Sequence, residues 1–243
     1  MAGERATGSD AGRTTGRSAY RPERGDRDYV AVDGAEADGP ASEKKSLRAA
    51  EQDSERVKAQ RQFWQDESRY IDPAQLVFVD ESGVTTEMTR RYGRASYGAR
   101  IDEGVPAGRW STLTVLGAVS LSGWVAVMSV EAATDGDVFL AYLEHVLCPQ
   151  LRPGQLVVMD NLGAHKVDGV RELIEQTGAS LCYLPPYSPD FNPIEKCWAQ
   201  MKQKLRALKA RSVITLQQAL AEALATLAPQ NAANYFRHAG YTL

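Results

Sequence analysis

Two short apolar runs, each followed by an aspartate, constrain the fold of this 243-residue chain most strongly. Residues 76–79 precede Asp80, and residues 156–159 precede Asp160. Four consecutive apolar residues indicate a strand that is buried on both faces. Residues 80–83 are predicted to turn, because they are polar and end in glycine. Each aspartate should therefore lie at the carboxyl end of a central strand, where open α/β sheets bind their ligands.

The rest of the hydrophobic pattern predicts strands followed by alternating strands and helices. Ser122-Gly123 lies between β-forming residues and predicts a hairpin, although the apolar run 113–130 has about the minimum length for a membrane span. The other predicted elements are strands over 110–121, 124–130 and 180–184 and helices over 137–147, 167–176, 193–211 and 215–227. This order predicts an α/β fold, with a mixed β-sheet flanked by helices.

The first part of the chain differs in composition. Residues 1–42 are rich in Gly, Ala, Arg, Asp and Glu and contain almost no clustered apolar residues. Such a segment cannot bury enough surface to offset its ordering entropy, so we predict a disordered N-terminal tail. Residues 43–70 have a helical pattern, with Ser42 or Ser46 as the candidate N-cap.

The overall composition limits the kinds of partner and compartment. A net charge of −3 excludes nucleic-acid binding through bulk positive charge, so a local basic face would be required. Cys148, Cys182 and Cys197 are odd in number and lack C-x-x-C spacing, which predicts reduced thiols rather than disulfides or a zinc site. The polar start of the chain has no secretory-signal pattern. Together these features predict a cytoplasmic protein that does not contact membranes.

A third acidic residue, Glu195, follows a stiff connection. Residues 185–193 contain four prolines and lead directly into its predicted helix. A local interpretation competes with a catalytic one: Asn192 would be the N-cap, Pro193 the first helical residue, and Glu195 the third residue of a capping box. A glutamate folded back onto the cap could not bind a metal ion. The pattern leaves both interpretations open.

Three carboxylates that meet at one edge of a sheet would repel one another. Hard divalent cations remove this repulsion and prefer oxygen ligands. Two such ions roughly 3.5–4 Å apart can activate a water and stabilise the leaving oxygen of a phosphodiester. An aspartate at a strand end is, taken singly, more often a turn or cap residue. The acidic residues alone therefore do not decide the function.

Three longer motifs surround these acidic residues. Residues 77–83 read VFVDESG, residues 157–166 read VVMDNLGAHK, and residues 184–195 read LPPYSPDFNPIE. These motifs resemble the three signature blocks of IS630-family transposases, which belong to the Tc1/mariner superfamily. The separation of 34 residues between Asp160 and Glu195 is similar to the spacing in that family.

The resemblance implies an RNase H-like fold, with a linker helix at 43–70 and a DDE catalytic domain at 71–243. It implies that Asp80, Asp160 and Glu195 are the catalytic residues and hold two Mg²⁺ or Mn²⁺ ions. The implied reaction cleaves transposon ends and transfers a 3′-OH into target DNA during cut-and-paste transposition. The implied partner is double-stranded DNA, and a homodimer is left open. The implied location is the bacterial cytoplasm, and the nucleoid when the protein is bound to DNA.

Basic residues near these motifs are candidates for DNA contact. Three cations of the predicted helix 193–211 fall on the same flank as Glu195, at about 100° per residue. Two arginines lie in the basic segment 86–109, and one lysine follows the second motif. A merely solvated basic surface is the alternative. The candidates are Lys166, Lys202, Arg206, Lys209, Arg90 and Arg91.

Three other residues lie close in sequence to Asp160 or Glu195, and each can be interpreted functionally or structurally. Asn161 could bind a phosphate or a metal-bound water, or could cap the next turn. His165 could contact the scissile phosphate or orient a ligand carboxylate, or could be a satisfied surface residue. Trp198 recurs with the apolar residues of its helix and is predicted to lie in the core.

The sequence departs from the family in one respect and leaves three functions open. Relatives carry helix-turn-helix domains before the catalytic part, but residues 1–42 show no pattern for one. An active DDE recombinase domain is the first hypothesis. A catalytically silent DNA-binding remnant is the second, and an RNase H-like nuclease that acts on another nucleic acid is the third.

Overall fold

The computed structural model describes residues 49–106 and 108–243. The tail predicted to be disordered and the first residues of the predicted linker helix lie outside this described part. The described chain begins with a 3₁₀ turn, Ala50–Asp53, and helix α1, Glu55–Glu67. No helix among the described residues is both long and apolar enough to cross a membrane.

A five-stranded mixed sheet forms the centre of the fold. Its strands are β1 Leu76–Thr85, β2 Thr112–Ser120, β3 Gly123–Val130, β4 Leu156–Met159 and β5 Ser180–Tyr183. They lie in the order β3-β2-β1-β4-β5. The β1–β2 and β2–β3 pairs are antiparallel, whereas β1–β4 and β4–β5 are parallel. The predicted hairpin and the predicted mixed sheet are both confirmed.

The prediction of a turn directly after Asp80 is wrong, because β1 continues to Thr85. The parallel pairing with β4 ends at Val79, but the antiparallel pairing with β2 continues from Asp80 onward. The longer strand β2 supplies backbone partners that the four-residue pattern before Asp80 could not reveal. Asp80 therefore lies where one neighbour of β1 ends and the other continues.

Helices cover both faces of the sheet. After α1 they are α2 Gly136–Tyr142, which continues as a π-helical turn Leu143–Leu147, α3 Val170–Glu175, α4 Ile194–Leu208, α5 Val213–Leu224 and α6 Pro229–His238. Helix α3 begins later than predicted because Gly169 takes a left-handed conformation, with φ of 94°. Helix α4 ends before its predicted end because Lys209 does the same, with φ of 53°.

The hydrophobic pattern does not predict helix α6, because Pro229 follows shortly after the predicted helix 215–227, where a proline usually marks a helix end. Proline is accepted at the first position of a helix, where its missing N–H group would have no partner anyway. Pro229 occupies that position in α6. Phe236 of this helix packs edge-on against Phe78 of β1, with the ring centroids 5.4 Å apart.

The sheet separates two hydrophobic clusters. Phe78 belongs to the cluster that also contains buried residues of α4, α5 and α6. Val77 and Val79 belong to the opposite cluster, with buried residues of α2 and α3. Side chains alternate along a strand, so Asp80 shares the face of Phe78 and is directed toward α4. The strand period thus places Asp80 beside the helix that carries Glu195.

Candidate active site

Asp80 and Asp160 lie on neighbouring parallel strands. The last paired residues of β1 and β4 are Val79 and Met159, and one aspartate follows each of them. The parallel pairing places Val79 beside Met159, so the aspartates that follow them come together where β4 ends, although β1 itself continues to Thr85. This arrangement follows directly from the two apolar runs in the sequence.

Asp80 is surrounded by groups that favour its protonated form. Burial raises its pKa to about 7, and the nearby charges of Glu195 and Asp160 add to the increase. Its Oδ2 atom accepts a hydrogen bond from the indole Nε1–H of Trp198 at 3.2 Å. That bond and one from the backbone N–H of Glu81 act in the opposite direction but do not outweigh burial.

Asp160 has the opposite balance. Its Oδ1 atom lies 2.7 Å from Nδ1 of His165 and accepts a hydrogen bond of 2.9 Å from the backbone N–H of Leu162. Burial acts to raise the pKa of Asp160, but these two hydrogen bonds and the nearby cations outweigh it and hold the pKa below its usual range. Asp160 is therefore ionised at neutral pH.

His165 is fully buried rather than on the surface. Its ring lies against Phe139 with a centroid separation of 4.5 Å, and its backbone carbonyl accepts a hydrogen bond of 2.7 Å from Tyr183. An ionised carboxylate can only accept, so Nδ1 carries the proton shared with Asp160. Among the alternatives for His165, the geometry favours orientation of a carboxylate.

Asn161 is hydrogen-bonded both to Lys166 and to the residue that follows β5. The side-chain amide of Asn161 donates to the carbonyl of Leu184. Its Oδ1 atom accepts a hydrogen bond of 2.6 Å from Nζ of Lys166, which also lies 5.3 Å from the ring centre of Tyr183. Asn161 thus ties two loops at the sheet edge, while Lys166 remains exposed.

The capping-box interpretation of Glu195 is wrong. The residue that caps α4 is Pro193, and no side chain caps this helix end. Only the backbone of Glu195 reaches back, donating from N–H to the carbonyl of Asn192 at 3.2 Å. Burial raises the pKa of Glu195, with Asp160 adding to the rise and Lys202 opposing it. Because its side chain does not cap the helix, the Glu195 carboxylate remains available to bind a ligand.

The proline-rich connection before Glu195 is fixed by α1, which sequence reasoning did not identify. Arg61 forms two hydrogen bonds with Asp190, at 2.9 and 2.6 Å, and a third with Ser188 at 2.7 Å. Its guanidinium also lies 4.3 Å from the ring centre of Phe191. No local pattern in residues 43–70 singles out Arg61, because its partners Ser188 and Asp190 lie 127 and 129 positions further along the chain.

A cleft of about 480 Å³ contains all three predicted catalytic residues, Asp80, Asp160 and Glu195. The three carboxylates repel one another when they are ionised, and their oxygen atoms are the ligands that hard divalent cations prefer. Within residues 49–106 and 108–243, however, no three Asp, Glu, His or Cys side chains are close enough together to hold a metal ion as they stand. The cleft thus offers suitable ligand atoms in an open arrangement.

The predicted DNA-contact residues do not form a single surface, and Lys166, beside Asn161, lies apart from the others. Lys202 is beside the cleft, where burial lowers its pKa and the charge of Glu195 acts against that decrease. Arg206 joins Arg90 and Arg91 around a separate pocket of about 880 Å³. Sequence spacing predicted the position of Lys202 relative to Glu195, but not the meeting of Arg206 with the distant arginines.

Lys209 differs from the other candidates because an acidic residue already engages it. Its Nζ atom lies 2.9 Å from Oε2 of Glu103. The neighbouring Arg211 donates hydrogen bonds to the carbonyls of Thr86 and Met88, each at 3.0 Å. These contacts anchor the start of the basic segment 86–109 against the end of α4, a role of Arg211 that the sequence did not indicate.

Solved structures with this fold include transposase structures. The chain is similar to the Mos1 mariner paired-end complex with Mn, with a TM-score of 0.67, 17% identity, and coverage of 83% of this chain and 63% of that one. It is also similar to the Mos1 strand transfer complex, with a TM-score of 0.65, 18% identity, and coverage of 83% and 62%. The chain therefore spans less than two thirds of those Mos1 chains.

The isolated catalytic domain of Mos1 mariner transposase gives a TM-score of 0.53 and 16% identity, with coverage of 76% of this chain and 85% of that domain. These similarities confirm the RNase H-like fold. No curated protein matches the sequence significantly. The family described as DDE superfamily endonuclease matches residues 75–217, which is more than half of the chain. The protein therefore belongs to the DDE superfamily endonucleases.

Proposed function

We propose that this protein is the catalytic part of an IS630-family transposase, which cleaves transposon ends and joins their 3′-OH groups to target DNA. The observation that carries the proposal is the cleft that collects Asp80, Asp160 and Glu195 from β1, the end of β4 and the start of α4. Membership of the DDE endonuclease family and the three motifs support it.

The three carboxylates are proposed to hold Mg²⁺ or Mn²⁺, in line with Mos1 complexes that contain Mn or Mg. Two bound metal ions would supply positive charge that stabilises the attacking and leaving oxygens of a phosphodiester. Asp160 is already ionised and held by His165. Asp80 is only partly ionised near pH 7, and bound cations would favour its ionised form.

The basic residues around the cleft are proposed to hold DNA by its phosphates. Lys202 is the candidate beside the cleft, and Arg206, Arg90 and Arg91 are candidates for the neighbouring duplex. Lys166 and Lys209 remain predicted contacts. Lys209 would have to exchange its contact with Glu103 for a phosphate. Such contacts make binding weaken steeply with salt.

The test is a cleavage assay on duplexes taken from the DNA that flanks the coding sequence. We expect cuts at the ends with Mg²⁺ or Mn²⁺, no cuts in EDTA, and no cuts by Asp160→Asn. An RNA–DNA hybrid of the same sequence serves as the alternative substrate. Cleavage of the hybrid alone, or cleavage that persists in EDTA, would contradict the proposal.

A catalytically silent DNA-binding remnant is the second candidate, and the open arrangement of the carboxylates favours it. It predicts salt-dependent binding of the same duplexes without cleavage at any metal concentration. The missing helix-turn-helix domain, the homodimer, and the cytoplasmic and nucleoid location stay predictions. Gel filtration tests the homodimer, and a comparison of binding to end and random duplexes tests whether this chain recognises the ends.

A further inference from the structure

A buried tryptophan connects two of the three proposed metal ligands. Trp198 lies on α4, three residues after Glu195 and therefore almost one turn further along the same helix. It is almost completely buried, with 3% of its surface exposed. Its indole nitrogen donates to Oδ2 of Asp80 on β1 at 3.2 Å. The indole thus links α4, which carries Glu195, to β1, which carries Asp80.

The indole fits in this position because the strand next to β1 has a glycine there. Gly117 on β2 pairs directly with Asp80 in the sheet. A Cβ atom at position 117 would lie 2.5 Å from Cη2 of Trp198 and 3.0 Å from Cζ3 of Trp124. Neither atom belongs to a flexible chain end, so any side chain at position 117 would displace an aromatic ring.

Trp124 provides an internal comparison. Its ring lies against that of Trp198, with centroids 4.8 Å apart. Its own indole nitrogen is buried and has no hydrogen-bond partner within the part of the chain that the structure describes. The two tryptophans therefore share one packing environment, but only Trp198 donates to a carboxylate of the cleft.

We propose that Trp198 is a positioning residue, which fixes the Asp80 carboxylate relative to Glu195, and that Gly117 provides the space for it. The role rests on the proposed function, because it matters when Asp80 and Glu195 bind the same metal site. A hydrogen bond to one carboxylate oxygen limits rotation of the group, which is how outer partners orient metal ligands. Loss of the N–H group should leave Asp80 free to rotate.

The decisive variants are Trp198→Phe, which retains an aromatic ring but removes the donor, and Gly117→Ala, which displaces the indole. Trp124→Phe is the matched control, because it makes the same change in the same aromatic pair without removing a bond to Asp80. Mn²⁺ binding to the DNA-free protein, measured by titration calorimetry, should weaken roughly 10- to 100-fold in the first two variants. The control should bind Mn²⁺ as the wild type does.

A second measurement does not depend on metal or catalysis. The chain has four tryptophans, so the indole N–H signals can be assigned individually by NMR. In metal-free protein, Asp80→Asn should shift the signal of Trp198 more than that of Trp124. If the Trp198 signal does not respond, the contact and the proposal are both overturned.

The outcomes separate the two proposals. Equal Mn²⁺ affinities for Trp198→Phe and Trp124→Phe, in a background where the wild type binds Mn²⁺ and cuts DNA, would contradict the positioning role alone. A wild type that neither binds Mn²⁺ nor cuts DNA would contradict the proposed function, and the positioning role with it. Melting temperatures of all variants show that weakened binding does not come from unfolding.

Discussion

Asp80 and Asp160 each follow a run of four apolar residues and lie side by side in the sheet, yet their pKa values are shifted in opposite directions. Burial beneath α4, with two nearby carboxylates, raises the pKa of Asp80 to about 7. Asp160 is partly exposed, and hydrogen bonds from His165 and Leu162 outweigh the effect of burial on its pKa. The charge of each carboxylate therefore depends on the elements that pack over it, rather than on the local sequence pattern before it.

The comparison also suggests a division of labour. Asp160 is ionised across the neutral range and held by His165, whereas Asp80 is only partly ionised near pH 7, where a nearby positive charge would favour its ionised form. The following predictions test this difference, beginning with the largest effect.

The largest effect is expected on catalysis, where the two aspartates should be equally necessary. Asp80→Asn and Asp160→Asn should each lower single-turnover cleavage by at least about 100-fold, more than the loss of an outer-shell partner does. Exposed Asp168 provides the control variant Asp168→Asn, which should cut normally. Normal cleavage by either of the first two variants would remove that aspartate from the proposed site.

His165→Phe should make Asp160 less well oriented. The phenyl ring can still lie against Phe139, but the hydrogen bond to Asp160 is lost. We expect cleavage to slow by roughly 10- to 100-fold, the usual range for a partner of a metal ligand. His145→Phe, at an exposed position, is the control. An unchanged rate in His165→Phe would show that Asp160 needs no such support.

In the metal-free protein, replacing each of the two aspartates by asparagine should change the free energy of unfolding in opposite directions. The folded-state pKa of Asp80 lies above its unfolded value of 3.8, so its contribution to stability is present below about pH 4 and is lost as pH rises through 7. Asp80→Asn should therefore increase the free energy of unfolding at pH 8, by about 1–3 kcal/mol. The gain should disappear near pH 4.

For Asp160 the sign is reversed, because its folded-state pKa lies below its unfolded value. Its contribution is present above the unfolded pKa and is lost as pH falls through the folded one. Asp160→Asn should lower the free energy of unfolding at pH 8 by about 1 kcal/mol. Urea denaturation in EDTA at both pH values measures both variants, and changes of the same sign at pH 8 would contradict the comparison.

The smallest effect is expected at the connection to Glu195. Arg61→Gln removes the paired hydrogen bonds to Asp190, and should lower the free energy of unfolding by about 1 kcal/mol. Arg171→Gln breaks a more exposed ion pair with Glu175 and should have a smaller effect. Equal effects in urea denaturation would mean that α1 does not fix this connection.

Local patterns predicted much of this fold because apolar runs and glycine turns act over a few residues. They indicated all five strands, the hairpin at Gly123 and the convergence of Asp80 with Asp160. They did not predict the continuation of β1, because its partner β2 begins far along the chain. They also missed α6, since a proline after one helix can equally be the first residue of the next.

Local hydrophobicity predicts the strands and their parallel pairing, and from these the approach of Asp80 to Asp160 could be predicted. The protonation state of each carboxylate depends on the packed fold. Trp198, which contacts Asp80 across 118 positions of sequence, illustrates the reason. Desolvation and hydrogen bonding depend on which distant elements pack over a group, and a local pattern contains no record of those neighbours.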